Sequence, residues 1–311
     1  MTSMRFLVSC CGAAVVAVLL TGATGLAQDR GPIIEATGAR IVVNNRSAVV
    51  SVGGSVTEIL YKLGLSDRIV AVDSTSLFPA GARDLPNVGY MRQLAAEPIL
   101  GMAPTLVLAV ADSGPPSVLD QLREAGLQVV VVPDEPTAQG ISNKILLIAQ
   151  AMDVPQKGRM LSQEIADDLD RLKRAVAAVD TRPRVLFLLS VGSGGAPRAA
   201  GRNTSASGII ELAGGVNAID AFEGYKTLSP EALIEAAPDV LLVTSRSLAL
   251  LGGPEVLTQI PEISQTPAGR NHRVVAMDGL LLLGFGPRTP MAIELLAGQL
   301  HPNFAKVTAA Q

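Results

Sequence analysis

The stretch Asn87-Val88-Gly89-Tyr90-Met91-Arg92 sets a tyrosine on a glycine-flanked turn, with an arginine two residues later. A phenolate is a hard oxygen donor suited to ferric iron, and tyrosine is among the side chains that hold haem iron axially. A guanidinium beside it would support the charged form. The bland alternative is a loop tyrosine packed on its own turn, and spacing alone leaves both open. The chain has three tyrosines and no tryptophan, so an aromatic outside any core pattern stands out. Rival chemistry is thin. His272 and His301 are isolated and fit no metal-ligand spacing. There is no Gly-x-Ser-x-Gly, paired carboxylate or Cys/His arrangement that would mark an enzyme. Gly192-Ser193-Gly194-Gly195 follows a strand but lacks the Gly-Lys-Ser/Thr ending of a phosphate loop.

The elements that must position Tyr90 alternate between strand and helix. Strands are expected over 40–44, 48–52, 68–72, 105–110 and 127–132. Helices are expected over 56–63, 95–102 and 117–125. Ser55 and Glu58 have the spacing of a capping box for the first helix. A loop rich in Ser, Pro and Gly from Asp73 to Pro86 leads up to Tyr90. Near-continuous apolar strands between helices predict an α/β lobe with a mainly parallel sheet. Residues 137–179 have helix character throughout, broken once at Asp153-Val154-Pro155. Leu161, Ile165, Leu169, Leu172, Val176 and Val179 then draw one apolar stripe. A helix of the 24 residues from Gln156 to Val179 would reach about 36 Å, enough to cross between lobes or to flank one. Alternation resumes with strands over 184–189, 240–243 and 273–277 and helices over 205–213, 230–236, 254–260 and 289–300. A frayed tail is expected beyond Pro302.

An internal echo supports two equivalent lobes. The stretch from Glu97 to Leu108 aligns without gaps on Glu231 to Leu242. Each has a glutamate near a helix start, an apolar turn, an Ala-Pro break and a strand. Glu97 and Glu231 read in themselves as N-terminal helix acids favoured by the helix dipole.

Composition excludes other classes. With a net charge of −3 and a pI of about 5.5 there is no basic patch, so nucleic acid is not an expected partner. Residues 1–27 read as an export signal: Arg5, an apolar run over Phe6–Leu20, and small residues before a cleavage point after Ala27. Both cysteines, Cys10 and Cys11, fall inside it. The chain after cleavage would hold no disulfide and no thiolate metal site, and would depend on its core.

Taken together, several segments resemble the periplasmic substrate-binding proteins of bacterial ABC importers for metal chelates. Within that group, which includes siderophore- and cobalamin-binding proteins, the chain is most similar to the haem-binding branch. The likeness runs from about Arg40 to His301. It is carried by Asn87 to Glu97, Ala200-Gly201-Arg202-Asn203-Thr204, Gly215-Val216-Asn217-Ala218, Gly224 to Glu231, and Leu282 to Pro290. It implies two Rossmann-like α/β lobes with mainly parallel sheets, joined by one long helix, with the ligand in the cleft between them. The expected divisions are a first lobe over 40–136, a helical linker over 137–180 and a second lobe over 181–303.

The resemblance further implies that Tyr90 is the axial ligand of haem iron, with haem as transported cargo. Arg92 would lie beside the phenolate or pair with a haem propionate. Arg202, Tyr225 and Arg288 are further candidates for the haem pocket. Glu97 and Glu231 would dock onto arginines of the permease, one from each lobe. An outer-membrane haem receptor system is a candidate upstream supplier. Some haem-binding members supply a histidine from the second lobe, where this chain has Val191, so the expected site is five-coordinate with Tyr90 as its protein ligand. The long helix implies modest closure on binding. A ferric siderophore or cobalamin is the alternative cargo; a non-transport haem protein would have no use for the two docking glutamates.

Overall fold

Two runs of β-branched strands, each fed by helices, build the architecture. The computed structural model describes residues 31–192 and 195–305. The expected export signal, with Cys10 and Cys11, and part of the Gly192–Gly195 loop lie outside them. The described chain from Pro32 onward forms one compact unit.

An antiparallel ribbon of β1 (Ile33–Ile34) and β2 (Arg40–Ile41) comes first. The first lobe then runs β3 (Val49–Val52), α1 (Gly54–Lys62), β4 (Ile69–Val72), α2 (Ala96–Leu100), β5 (Leu106–Val110), α3 (Pro116–Glu124) and β6 (Gln128–Val132). Its sheet is wholly parallel, in the order β4-β3-β5-β6. Every residue of β3 and β5 is buried, as expected of strands covered by helices on both faces.

Two helices follow, α4 (Ala138–Ala151) and α5 (Pro155–Ala177). Thr137 caps α4 by accepting from Gly140 N, and the chain turns at Asp153, where the break was expected. The 23 residues of α5 span about 35 Å. Its buried stripe is Leu161, Ile165, Leu169, Leu172 and Val176, as the spacing predicts; Val179 lies past the helix end. The two helices touch at Gly158, where a Cβ would stand 2.2 Å from that of Ala149.

The second lobe contains β7 (Arg184–Gly192), β8 (Gly195–Ala200), α6 (Ser205–Leu212), β9 (Val216–Asn217), β10 (Tyr225–Thr227), α7 (Pro230–Ala236) and β11 (Val240–Thr244). Four short helices follow: α8 (Ser245–Leu251), α9 (Pro254–Thr258), α10 (Pro261–Ser264) and α11 (Pro267–Arg270). The lobe ends with β12 (Val274–Met277), α12 (Gly279–Leu283) and α13 (Thr289–Leu300). Its parallel strands lie in the order β9-β7-β11-β12, the same winding as the first lobe. Here the sheet is mixed rather than mainly parallel. β8 runs antiparallel to β7, and β10 antiparallel to β8. β11 takes one edge of β7, so the long β7 pairs with β9 at its start and β8 at its end along the other edge.

The echo between lobes is geometric as well as sequential. Glu97, Ala103 and Leu106 correspond to Glu231, Ala237 and Val240, and β5 and β11 begin at corresponding residues. Both alanines adopt the same left-handed backbone, with φ of 46° and 40°. That conformation is costly for an L-residue with a Cβ, so its recurrence before each Pro is more than shared punctuation.

A buried core runs without a break from β3 and β5 through α4 and α5 to α13 and Phe304. A second cluster, including Leu186, Leu233 and Leu241, fills the other face of the second sheet. The tail is not frayed through residue 305, because Phe304 is buried in the core.

Candidate ligand site

In parallel α/β sheets, ligands gather outside the carboxyl ends of the strands. Here those ends carry Asp73, just past β4, and Asp112, just past β5. Asp73 is buried, and its carboxylate organises the loop that leads to Tyr90. Oδ1 accepts from Gly53 N (2.9 Å) and Ser76 Oγ (2.8 Å); Oδ2 accepts from Thr75 N (2.9 Å) and Thr75 Oγ1 (2.6 Å). Gly54 N donates to Thr75 Oγ1 at 3.1 Å. The free N–H groups at the start of α1 are thus satisfied from this loop. That corrects the expected capping box: Gly53, not Ser55, is the N-cap, and Glu58 does not reach back to it.

The far half of the loop is stitched to β4. Val88 N donates to Val72 O and Ser74 N to Gly89 O. Gly89, at φ +102°, turns the chain in a conformation strained for any other residue. Met91 and Leu94 are buried beneath, and Tyr90 is left 41% exposed, while Tyr61 and Tyr225 are partly buried. Arg92 Nη1 donates to the Tyr90 oxygen at 3.0 Å, and Arg92 Nη2 pairs with Asp112 Oδ2 at 2.9 Å. Partial burial works against the charge on Arg92, yet its bonds to Tyr90 and Asp112 hold the guanidinium above its ordinary range.

Tyr225 approaches from the second lobe. Its ring stands edge-on to Phe187, with centroids 6.4 Å apart. Its hydroxyl lies near Thr204 and the backbone of Ala206, at the start of α6. Burial pushes the Tyr225 phenol up, and the Ala206 backbone, the Arg92 charge and the Thr204 side chain offset part of that. Tyr225 therefore lies within electrostatic reach of Arg92 and Asp112, so residues of both lobes face one region. Arg202, two residues before the α6 cap, is exposed and 3.7 Å from Glu223. Arg198 donates to the Tyr225 carbonyl at 3.1 Å.

Arg288 is engaged elsewhere. It forms a two-pronged pair with Glu58 (3.0 and 2.5 Å) and stacks over Phe78 at 3.7 Å. While that pair holds, it is not free for a ligand carboxylate. Burial raises the Glu58 carboxyl, and Arg288 partly offsets it. Beside this pair the fully buried Lys144 donates to Asp134 (2.5 Å), Ser55 (3.2 Å) and the carbonyls of Gly284 (3.2 Å) and Phe285 (3.1 Å). Glu97 and Glu231 are exposed at corresponding positions of α2 and α7. The Glu231 carboxyl is lowered by its own backbone N–H and the Ser229 hydroxyl. Among the described residues, no group of three or more His, Cys, Asp or Glu is arranged to hold a bare metal ion.

Sequence reasoning missed Asp73, Asp112 and Lys144. The available signal was a carboxylate standing at or just past the end of a buried strand, at Asp73 and Asp112.

The profile of the family described as "Periplasmic binding protein" matches residues 49–280. Among solved structures, the chain is similar to the periplasmic heme-binding protein BhuT in complex with two hemes. It is 39% identical, with a TM-score of 0.78, covering 84% of this chain and 98% of that one. It is also similar to the periplasmic heme-binding protein RhuT from Roseiflexus sp. RS-1, at 38% identity and a TM-score of 0.79, covering 85% of this chain and 100% of that one. A vitamin B12-binding protein of Vibrio parahaemolyticus is 27% identical over 246 residues, 79% of this chain and 86% of that protein.

Proposed function

We propose that this chain, which belongs to the periplasmic binding protein family, captures ferric haem through the Tyr90 phenolate and delivers it to an ABC-type permease. Its family and structural neighbours are substrate-binding transport proteins rather than enzymes. The observation that carries the choice of cargo is the presentation of Tyr90: an exposed tyrosine on an anchored turn, its phenol oxygen accepting one bond from a guanidinium. Such an oxygen is a ligand in search of a ferric centre with an open axial position. Haem offers that position. A ferric siderophore already fills the coordination sphere of its iron, and cobalamin gives no reason for a phenolate.

In this reading Arg92 steadies the phenolate, and Arg202 and Tyr225 line the second-lobe side. Arg202 is the accessible partner for a propionate. Arg288 belongs to the seam between lobes. Val191 leaves the second lobe without a histidine ligand at that position, so iron is five-coordinate and one presented phenolate supports a one-to-one complex. Glu97 and Glu231 meet the permease, one contact per lobe; each is worth little alone, and two fix orientation. The expected export signal puts the mature protein in the periplasm.

The likeness to a vitamin B12-binding protein makes cobalamin the second reading. Parallel titrations of the chain from Gln28 with ferric haem and with cyanocobalamin separate the two. Saturation by haem at one equivalent, undisturbed by excess cobalamin, is expected. Saturation by cobalamin with weak or unsaturable haem binding would overturn the assignment.

A further inference from the structure

We propose that Asp112 is a positioning residue for this site: it aims the Arg92 guanidinium at the Tyr90 oxygen and sets how strongly the phenolate donates to iron. The proposal rests on Tyr90 being the iron ligand. Arg92 uses two different amino groups, Nη1 toward Tyr90 at 3.0 Å and Nη2 toward Asp112 at 2.9 Å. A guanidinium is planar and its donors are in fixed relation. Holding one amino group on a carboxylate therefore fixes the direction of the other.

The backbone sets this spacing. Ala111 N donates to Val132 O and Ser113 N to Val110 O, which fixes the turn after β5. Gly114 N then donates to Met91 O, and Leu94 N to Gly114 O, both at 2.9 Å. The turn carrying Asp112 is thus bonded through Gly114 to the segment carrying Tyr90 and Arg92, on both sides of Arg92. Twenty residues separate Arg92 from Asp112 in sequence, and the two bonds remove that freedom.

Stability does not explain the pair. Its side chains are 51% and 61% exposed, and such pairs contribute only about 0–1 kcal/mol. A flat ligand seated on the Tyr90 oxygen would cover the pair and exclude water, and the same charges then act more strongly. With Asp112 the three side chains turn one net negative charge toward a ferric centre. Without it, the guanidinium draws on the phenolate unopposed and the phenolate is the weaker donor. Partners that orient a metal ligand typically change metal affinity by about 10–100-fold when removed.

The test compares Asp112→Asn with the parent and with Asp112→Glu. In haem-free protein, nitrogen-15 NMR of the Arg92 side chain should resolve two Nη environments in the parent, averaged in Asp112→Asn and restored in Asp112→Glu. In the ferric haem complex, the phenolate-to-iron charge-transfer band should move to shorter wavelength in Asp112→Asn. Haem loss to an apomyoglobin trap should be about 10-fold faster. Unchanged Arg92 resonances in Asp112→Asn would overturn the proposal, as would an unmoved band in a variant that only loses stability. Failure of the underlying reading looks different: the parent complex would have no phenolate band. The haem-free measurement then still decides whether Asp112 orients Arg92.

Discussion

A single phenol oxygen carries the functional account, and its worth depends on what holds it. Arg92→Lys tests that. A lysine is a compact point charge on a flexible stem and cannot bridge Tyr90 and Asp112 as a planar fork does. A hydrogen bond to a charged group is worth about 1.5–3 kcal/mol, so haem affinity measured by absorbance titration should fall roughly 10- to 100-fold. An unchanged Kd would mean that Arg92 is a bystander. A second residue-scale prediction concerns His301, which is buried with Nε2 3.0 Å from Ala213 O. Burial lowers its pKa from the ordinary 6.5, the Ala213 carbonyl opposes this, and Arg182 and Arg273 add to it. The folded state therefore takes up the proton later than the unfolded chain. Stability should be level above pH 6.5 and fall as pH drops below it. Urea midpoints at pH 7.5 and pH 5 should diverge more for the parent than for His301→Gln; equal losses would contradict this origin. The Tyr90–Arg92 pair was legible because it lies two residues apart on one turn. Asp112 was not, because only the shared strand ends of β4 and β5 bring it there, and sequence does not display that proximity.

Elements were legible where apolar period and punctuation agree. The stripe of α5, the Pro-led starts of α7 and α13 and the buried run of β5 all satisfy both. β8 was missed: Gly195-Ala196-Pro197-Arg198-Ala199-Ala200 has small residues and a proline where a strand signal would have β-branched ones, and it is a strand because β7 and β10 pair with it. The first helix was found but its cap misassigned, because Asp73 and Thr75 do that work from a distant loop. The packing of α4 on α5 gives the prediction at this scale. Gly158→Ala would gain about 1 kcal/mol of helix propensity. It would also set a methyl 2.2 Å from Ala149 Cβ, and overpacking of that kind typically costs about 1–3 kcal/mol. Net destabilisation is expected, seen as a lower urea midpoint at unchanged m-value; a gain would mean the helices part without cost.

The whole molecule is joined by more than its long helix. The shared core through α5 and α13, the Lys144 cluster and the Arg288–Glu58 pair also tie its two halves together, which predicts modest rather than wide closure on binding. Arg288 is a haem-pocket candidate or a loop-fixing residue from sequence alone; its partner Glu58 lies 230 residues away, a distance over which sequence gives no pairing. Arg288→Ala should cost about 3–5 kcal/mol, because it strands a buried carboxylate. The pH dependence has a definite sign. Burial already raises the folded-state pKa of Glu58 above 4.5, and loss of Arg288 removes the main influence that lowers it, leaving the weaker one of Lys144. The folded variant then holds its proton longer than the unfolded chain, and its stability is lost as pH rises above 4.5 through the folded value. Urea unfolding should therefore find the variant more impaired relative to parent at pH 8 than at pH 5; the reverse order would contradict the assignment.

The most direct test of the central claim is the visible spectrum of the ferric haem complex, recorded for the parent and for Tyr90→Phe. Phenylalanine keeps the ring and removes the oxygen. The parent should give a high-spin spectrum with a phenolate-to-iron charge-transfer band at one haem per chain, and Tyr90→Phe should lose the band and bind haem at least 10-fold more weakly, in line with the loss of a metal ligand. The same band and affinity in both proteins would contradict the account, because iron would then be held by something other than Tyr90.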